Sequence, residues 1–338
     1  MPLPLVILAN VAVGRRWAQL EIGIVAGVTA GIAFLIGALD LAGAGTTTAG
    51  ATGQSTVAVD VGIMATAVVA AALASKPIRE RISQILPIDP DNPVHALALV
   101  LAVLLFGTQV ASIAFTSLTA ANQAPLGVGD LIAQETPFLI LAAAGVGIFI
   151  RRNASQAATR LGLVAPAWWH IVLALAAAGA FFAFGQAMDA LSHAWTPGVA
   201  QQVDTTTQQL FGGLGGPVGI AAIALAPGIC EEILFRGALQ PRLGLIATAV
   251  LFTSIHTQYG LSLAALAVLV IALGLGLIRK FTNTTSSSVC HISYNLLVGI
   301  GVAGSQVDVA VAIEALLVVV SVYAIWSNRR RHTVPANP

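Results

Sequence analysis

Charge is what this chain has least of. Only 9% of its 338 residues are Asp, Glu, Lys or Arg, against about 25% in an ordinary soluble domain. With 57% of the residues hydrophobic, a globule could not cover its surface with polar groups, so the solvent is lipid. That composition excludes a soluble enzyme and a disordered chain. It also excludes a nucleic-acid binder: the net charge is +1 and no basic patch large enough for a phosphate backbone lies outside short connecting loops. Lysine is nearly missing, at two residues (Lys76 and Lys280) against thirteen arginines, a bias that points to a GC-rich bacterium and its plasma membrane. Cysteine is equally scarce. Cys230 and Cys290 both sit in apolar stretches, which excludes a disulfide-stapled secreted fold and suits small buried packing groups.

What is present is a series of apolar runs near 21–42, 57–75, 94–117, 135–150, 166–192, 214–240, 243–258, 260–278, 285–304 and 307–326. Several are long enough for a helix to cross a hydrocarbon core of about 30 Å, so the fold class is all-α, a polytopic integral membrane protein of about ten transmembrane helices. The basic residues support the count independently. Arg15 and Arg16 precede the first run, and Lys76, Arg79 and Arg81 follow the second. Arg151, Arg152 and Arg160 follow the fourth, Arg242 the sixth, Arg279 and Lys280 the eighth, and Arg329 to Arg331 the tenth. All of these fall on one side, so the positive-inside rule predicts that both termini are cytoplasmic. Met1 to Val13 is apolar but has no basic n-region and does not read as a signal peptide. Gly23, Gly27 and Gly31 recur at four-residue spacing and predict close helix packing.

Ionisable groups inside spans are costly and are functional candidates. Three clusters qualify: Glu231, Glu232 and Arg236 in the sixth run, Phe252 and His256 in the seventh, and His291 and Asn295 in the ninth. At about 1.5 Å per residue, Glu231 lies roughly 16 Å from Arg242, and His256 roughly 21 Å from it. Counting from Lys280, His291 is at roughly 16 Å and Asn295 at roughly 22 Å. Three separate helices thus present carboxylate, imidazole and amide in one layer. Glu232 and Arg236 are four apart with the acid first, the favourable order for an ion pair. Glu231 points about 100° away from Glu232, and His291 and Asn295 share a face.

These groups are the parts for hydrolysis. A buried carboxylate accepts a proton from water, an imidazole holds that water, and an amide with a second imidazole stabilises an oxyanion. No serine sits in a GxSxG setting. Glu231, His256 and His291 could bind zinc with an open position, but no HExxH helix fixes them, so the preferred mechanism requires no cofactor.

The ordered motifs EExxxR, FxxxH and HxxxN, with one helix between the second and third, resemble the CPBP family. These are the type II CAAX prenyl endopeptidases and bacteriocin-processing or immunity proteins, also called Abi proteins. The resemblance covers about residues 220–304 closely and the helices from about residue 94 onward more loosely. It implies an eight-helix peptidase core over 94–327, an N-terminal extension of two helices and a linker over 1–93, and a basic cytoplasmic tail over 328–338. By position it implies Glu231 as catalytic base, His256 as its partner on the water, and His291 and Asn295 at the oxyanion. Glu232, Arg236 and Phe252 would then be supporting residues. A metal-free, glutamate-driven mechanism has been proposed for the family, although its name invokes metalloprotease activity. The implied function is an intramembrane endopeptidase acting on a peptide or membrane-protein substrate in the lipid bilayer.

Three other readings stand beside it. The polar groups could be interhelical hydrogen-bonding glue. The chain could be a non-catalytic binding or immunity protein of the same fold. A proton-coupled transporter would also carry intramembrane carboxylates, but it predicts inverted repeats that are not evident. Outside the motifs, Glu314 and Asp189 read as local solvation or interhelical hydrogen bonds. Glu21, Asp40 and Asp60, like His95 and His193, read as span-end residues. Trp168, Trp169 and His170 read as an aromatic belt, and the stretch from His193 to Gly216 as a polar connection.

Overall fold

A computed structural model describes residues 2–43, 53–115, 124–302, 304 and 306–333. Among these residues the elements are all helices, joined by short connections, with no strand. The order is α1 (Leu3–Ala12), α2 (Ala18–Leu41), α3 (Gly53–Ala72), α4 (Lys76–Ile82), α5 (Pro93–Phe115), α6 (Val128–Gly145), α7 (Ala154–Leu161) and α8 (Trp168–Trp195). Then come α9 (Pro197–Phe211), α10 (Pro217–Glu231), a π-helical segment (Glu232–Leu239), α11 (Gln240–Ser254), α12 (Leu263–Phe281), α13 (Thr284–Ile300) and α14 (Gln306–Thr333). This is the all-α polytopic membrane architecture expected.

Six helical stretches are long and apolar enough to cross a membrane, and a seventh is a pair, Val57–Ala72 and Lys76–Ile82, bent by 93°. The difference from ten has a physical origin in the helices that carry polar side chains. Helix α13, at 17 residues, opens with Thr284, Thr285, Ser286, Ser287 and Ser288, and α6 contains Asp130, Glu135 and Pro137. The stretch Pro217–Ser254 counts as one span by length, yet it is two antiparallel limbs. A straight helix would hold Phe235 and Phe252 about 25 Å apart, whereas their ring centroids are 5.2 Å apart. The chain doubles back at Gly244, whose φ of 77° and ψ of 173° lie where a side chain is strongly disfavoured.

The largest apolar cluster joins α2, α3 and α5 to the π segment and α11, with Ala30, Ala67, Val100, Leu104, Phe235 and Phe252 in contact. The first helices therefore share a core with the limbs that bear the motifs. Two expectations are corrected. Gly23, Gly27 and Gly31 meet nothing within 4 Å: α2 packs through Ile22, Val25, Ala26 and Ala30, and the glycine stripe faces away. The polar stretch after His193, read as a loop, is mostly helical and forms α9.

The span-end acids also differ from expectation. Glu21 is buried with both carboxylate oxygens unpartnered. Glu314, inside the last helix, lies against Gly179 of α8, with Oε1 unpartnered. Cys290 is buried in the cluster formed by α8, α12 and α13, and both cysteines are free.

Candidate active site

The site is built where α10, the π segment, α11 and α13 meet. Helix α13 is positioned first by its own N-terminus. The Asn283 side chain accepts from the Ser286 backbone N–H, a capping bond. The Thr284 hydroxyl donates to the Leu161 carbonyl at 2.6 Å and its N–H to the Gly162 carbonyl at 3.1 Å. These bonds tie the start of α13 to the end of α7.

Two consecutive residues of α10 then set how α13 lies against it. Pro227 has no N–H, so the Ile223 carbonyl four residues earlier lacks its helical donor. Asn295 Nδ2 supplies it across the interface, at 3.2 Å. At Gly228 the helices touch: a Cβ there would stand 2.5 Å from Ile292 Cγ1 and 3.0 Å from the Ile292 backbone nitrogen. Since a backbone atom cannot yield as a side-chain tip can, Gly228→Val is expected to force the helices apart. Overpacking of this kind costs about 1–3 kcal/mol or more. The expected result is a lower Tm in detergent and loss of whatever activity depends on α13; an unchanged Tm would show that the interface is looser than it looks.

This close approach brings His291 onto the two acids. Its Nδ1 lies 3.2 Å from Glu232 Oε1 and its Nε2 4.0 Å from Glu231 Oε2. Arg236 Nε lies 3.4 Å from Glu232 Oε2, with the guanidinium carbon 4.6 Å from the Phe252 ring centroid, a cation–π arrangement. Glu232 and Arg236 are both fully buried, and Glu231 and His291 nearly so. The segment carrying Glu232 and Arg236 is π-helical rather than α-helical, a form that recurs at functional sites. His256 stands just beyond α11. Its ring lies 4.7 Å from that of Phe252 and stacks on Tyr259 at 6.2 Å. Nδ1 of His256 is 2.9 Å from the Phe252 carbonyl, so a proton on Nδ1 leaves Nε2 unprotonated. Asn295 gives one N–H to Ile223 and retains a second.

Glu231, Glu232, Arg236, Phe252, His256 and His291 are therefore joined by contacts around one locus, Asn295 lies one turn from His291 on α13, and an eighth residue stands beside them. Glu135 of α6 is buried with Oε2 unpartnered, and its charge interacts with that of Glu231. It stands at the edge of an apolar run in the sequence, but at about 1.5 Å per residue it is roughly 24 Å from Arg151, as deep as the others. Depth was the signal that could have found it. Tyr259 is a further addition.

As a zinc site the set does not fit. Glu231, His256 and His291 do not bring three ligand atoms within 4.8 Å of one another. Among the described residues, only Asp189, His193 and Asp204 converge in that way, and all three are exposed. His193 is exposed near the end of α8, as expected of a span-end residue, and lies 3.0 Å from Asp204 and 3.5 Å from Asp189.

A polytopic all-α integral membrane protein with a buried Glu–His–Arg centre is the class these features define. Comparison with known families makes it more particular. Residues 214–297 match the family model described as Type II CAAX prenyl endopeptidase Rce1-like, a stretch that contains all three motifs. Searches of the curated proteins and of the solved structures gave no match.

Proposed function

We propose that the protein is an intramembrane endopeptidase in which Glu231 activates the water that attacks a peptide carbonyl. The observation that carries this reading is the unpartnered Oε2 of buried Glu231 facing His291 Nε2 at 4.0 Å, a gap that a water molecule bridges with two hydrogen bonds. Glu232 is occupied otherwise, holding Nδ1 of His291 and pairing with Arg236. The two adjacent carboxylates thus have different tasks, one reactive and one orienting.

In the reaction, Glu231 removes a proton from water as the oxygen bonds to the carbonyl carbon. The carbonyl π pair moves onto its oxygen, which the second N–H of Asn295 stabilises. Glu231 then returns the proton to the departing amine as the C–N bond breaks. His256, with Nε2 free, holds the attacking water. No step requires a metal ion. The substrate is a peptide or a membrane-protein segment, and the family description makes a prenylated C-terminal peptide one member of the panel to test.

The peptidase core spans 94–327 in this reading, with 1–93 an N-terminal addition and 328–338 a tail. Arg151, Arg152, Arg160, Arg242 and Arg279 lie close enough together at one end of the bundle for their charges to interact. That supports a cytoplasmic placement of this end in a bacterial plasma membrane, with both termini on the same side.

The test is cleavage of membrane-embedded fluorogenic peptides, prenylated and unmodified, by wild type and His256→Ala, with and without chelator. Wild type is expected to cleave, and the variant to be slower by roughly 10²-fold or more. Chelator is expected to change neither rate. Equal cleavage by both proteins would overturn the role of His256, and loss with chelator that zinc restores would overturn the metal-free mechanism.

A further inference from the structure

A second concave space lies outside the catalytic locus. It is a cavity of about 440 Å³ bounded by α1, α5, α6, the π segment and α11, within the range of roughly 300–1,000 Å³ typical of ligand pockets. Its shaft is apolar, lined by Leu101, Leu105, Phe138, Leu141, Leu234 and Leu251. Its mouth, at the basic end of the bundle, carries Arg151, Arg152, Arg160 and Arg242, with Asp89 the one carboxylate on the lining.

The four guanidiniums have no carboxylate partner: among the described residues, none is joined to an Asp or Glu by an ion pair. Three have neutral acceptors. Arg151 donates to Asn10 Oδ1 at 2.8 Å, Arg160 to the Gly237 carbonyl at 3.1 Å, and Arg152 to the Val146 carbonyl. Nε of Arg242 is buried with no partner at all. Burial, and then the charges of Arg242, Arg152, Arg279 and Arg151, push Arg160 below the usual guanidinium range, to about 10. Cations crowded around an apolar shaft at a membrane surface are costly unless an anion joins them.

The cavity is not the peptide site. None of Glu231, Glu232, His256, His291 or Asn295 lines it. A row of rings stands between: Phe138 packs on Phe235 at 6.0 Å, and Phe235 on Phe252 at 5.2 Å, with His256 beyond. The apolar shaft also offers no partners to peptide amides, which are costly to bury unpaired.

We propose that this cavity binds an anionic phospholipid, with an acyl chain in the shaft and the phosphodiester among Arg151, Arg152, Arg160 and Arg242. Guanidinium forks match phosphate oxygens and are weakly hydrated, which suits a half-buried mouth. Leu234, Ala238 and Leu239 of the lining belong to the π segment, so the lipid lies directly against the element that carries Glu232 and Arg236.

Titration of the purified full chain in neutral detergent, read by native mass spectrometry, tests the proposal without reference to any activity. Phosphatidylglycerol is expected to bind at least about tenfold more tightly than phosphatidylcholine, as a charge-assisted contact provides. Glycerol 3-phosphate, a headgroup without a tail, is expected not to compete at equal concentration. Arg152→Gln combined with Arg242→Gln is expected to bring the two lipids within about twofold of each other. Ala98→Phe, which fills the lined space, is expected to abolish retention of both. Equal binding of the two lipids by wild type, full competition by glycerol 3-phosphate, or displacement of phosphatidylglycerol by a peptide bearing only a C-terminal carboxylate would each overturn it. So would a phosphatidylglycerol preference that survives in either variant. Should the variants fail to fold, the wild-type comparison of lipids and headgroup decides the matter.

Discussion

Glu231→Gln is expected to lower kcat for peptide hydrolysis by roughly 10²–10⁴-fold, the usual contribution of a general base, while leaving the fold in place. The substitution keeps the size of the side chain. It also removes little that holds the structure together, because Oε2 has no hydrogen-bond partner and its nearest basic atom is His291 Nε2 at 4.0 Å. A carboxamide cannot take the proton from water, so the loss falls on the chemical step, with KM little changed. Helicity and Tm measured alongside kcat separate a catalytic effect from an unfolding one. A variant that cleaves at the wild-type rate would remove Glu231 from the mechanism and favour a partner-binding role for the same fold.

Arg236→Met acts on stability instead, and its expected cost is larger than that of any other single change at the site. Glu232 is fully buried, and Arg236 is the cation paired with it. Removing one member of a buried ion pair typically costs about 3–5 kcal/mol, because the remaining charge has lost its compensation. His291 offers Glu232 only one nitrogen, at 3.2 Å. Methionine fills much of the arginine stem but gives up the cation–π contact with Phe252. The double variant Glu232→Gln/Arg236→Met, which leaves no lone charge, is expected to recover part of the loss. Denaturation in detergent measures both, and a single variant as stable as wild type would mean that the pair contributes nothing net.

The site was legible because polar residues inside apolar runs are conspicuous and their depths can be counted. Glu231, His256 and His291 were found that way. Glu135 is not singled out by the sequence because an apolar run begins with it, although α6 extends back to Val128. The π segment escaped for a different reason: spacing of three and four residues reads alike on an α- and a π-helix, and only hydrogen bonding tells them apart. Gly23, Gly27 and Gly31 show the limit of periodicity. Four-residue spacing places them on one face of α2, but which face meets a neighbour is decided by the other helices. Helix α9 is amphipathic and polar on average, so nothing in its composition resembled a span.

The contact between α10 and α13 has a consequence for how the two helices recognise one another. Asn295 is addressed not to a side chain but to a missing rung in the backbone ladder of α10, left open by Pro227, and the next residue, Gly228, is where the two backbones come closest. Axial position and separation are thus encoded side by side. A slip of one residue, about 1.5 Å, would strand both the amide and the orphan carbonyl in an apolar medium. The pair works as a keyed joint: it accepts one alignment of the helices, and in that alignment His291 meets both acids.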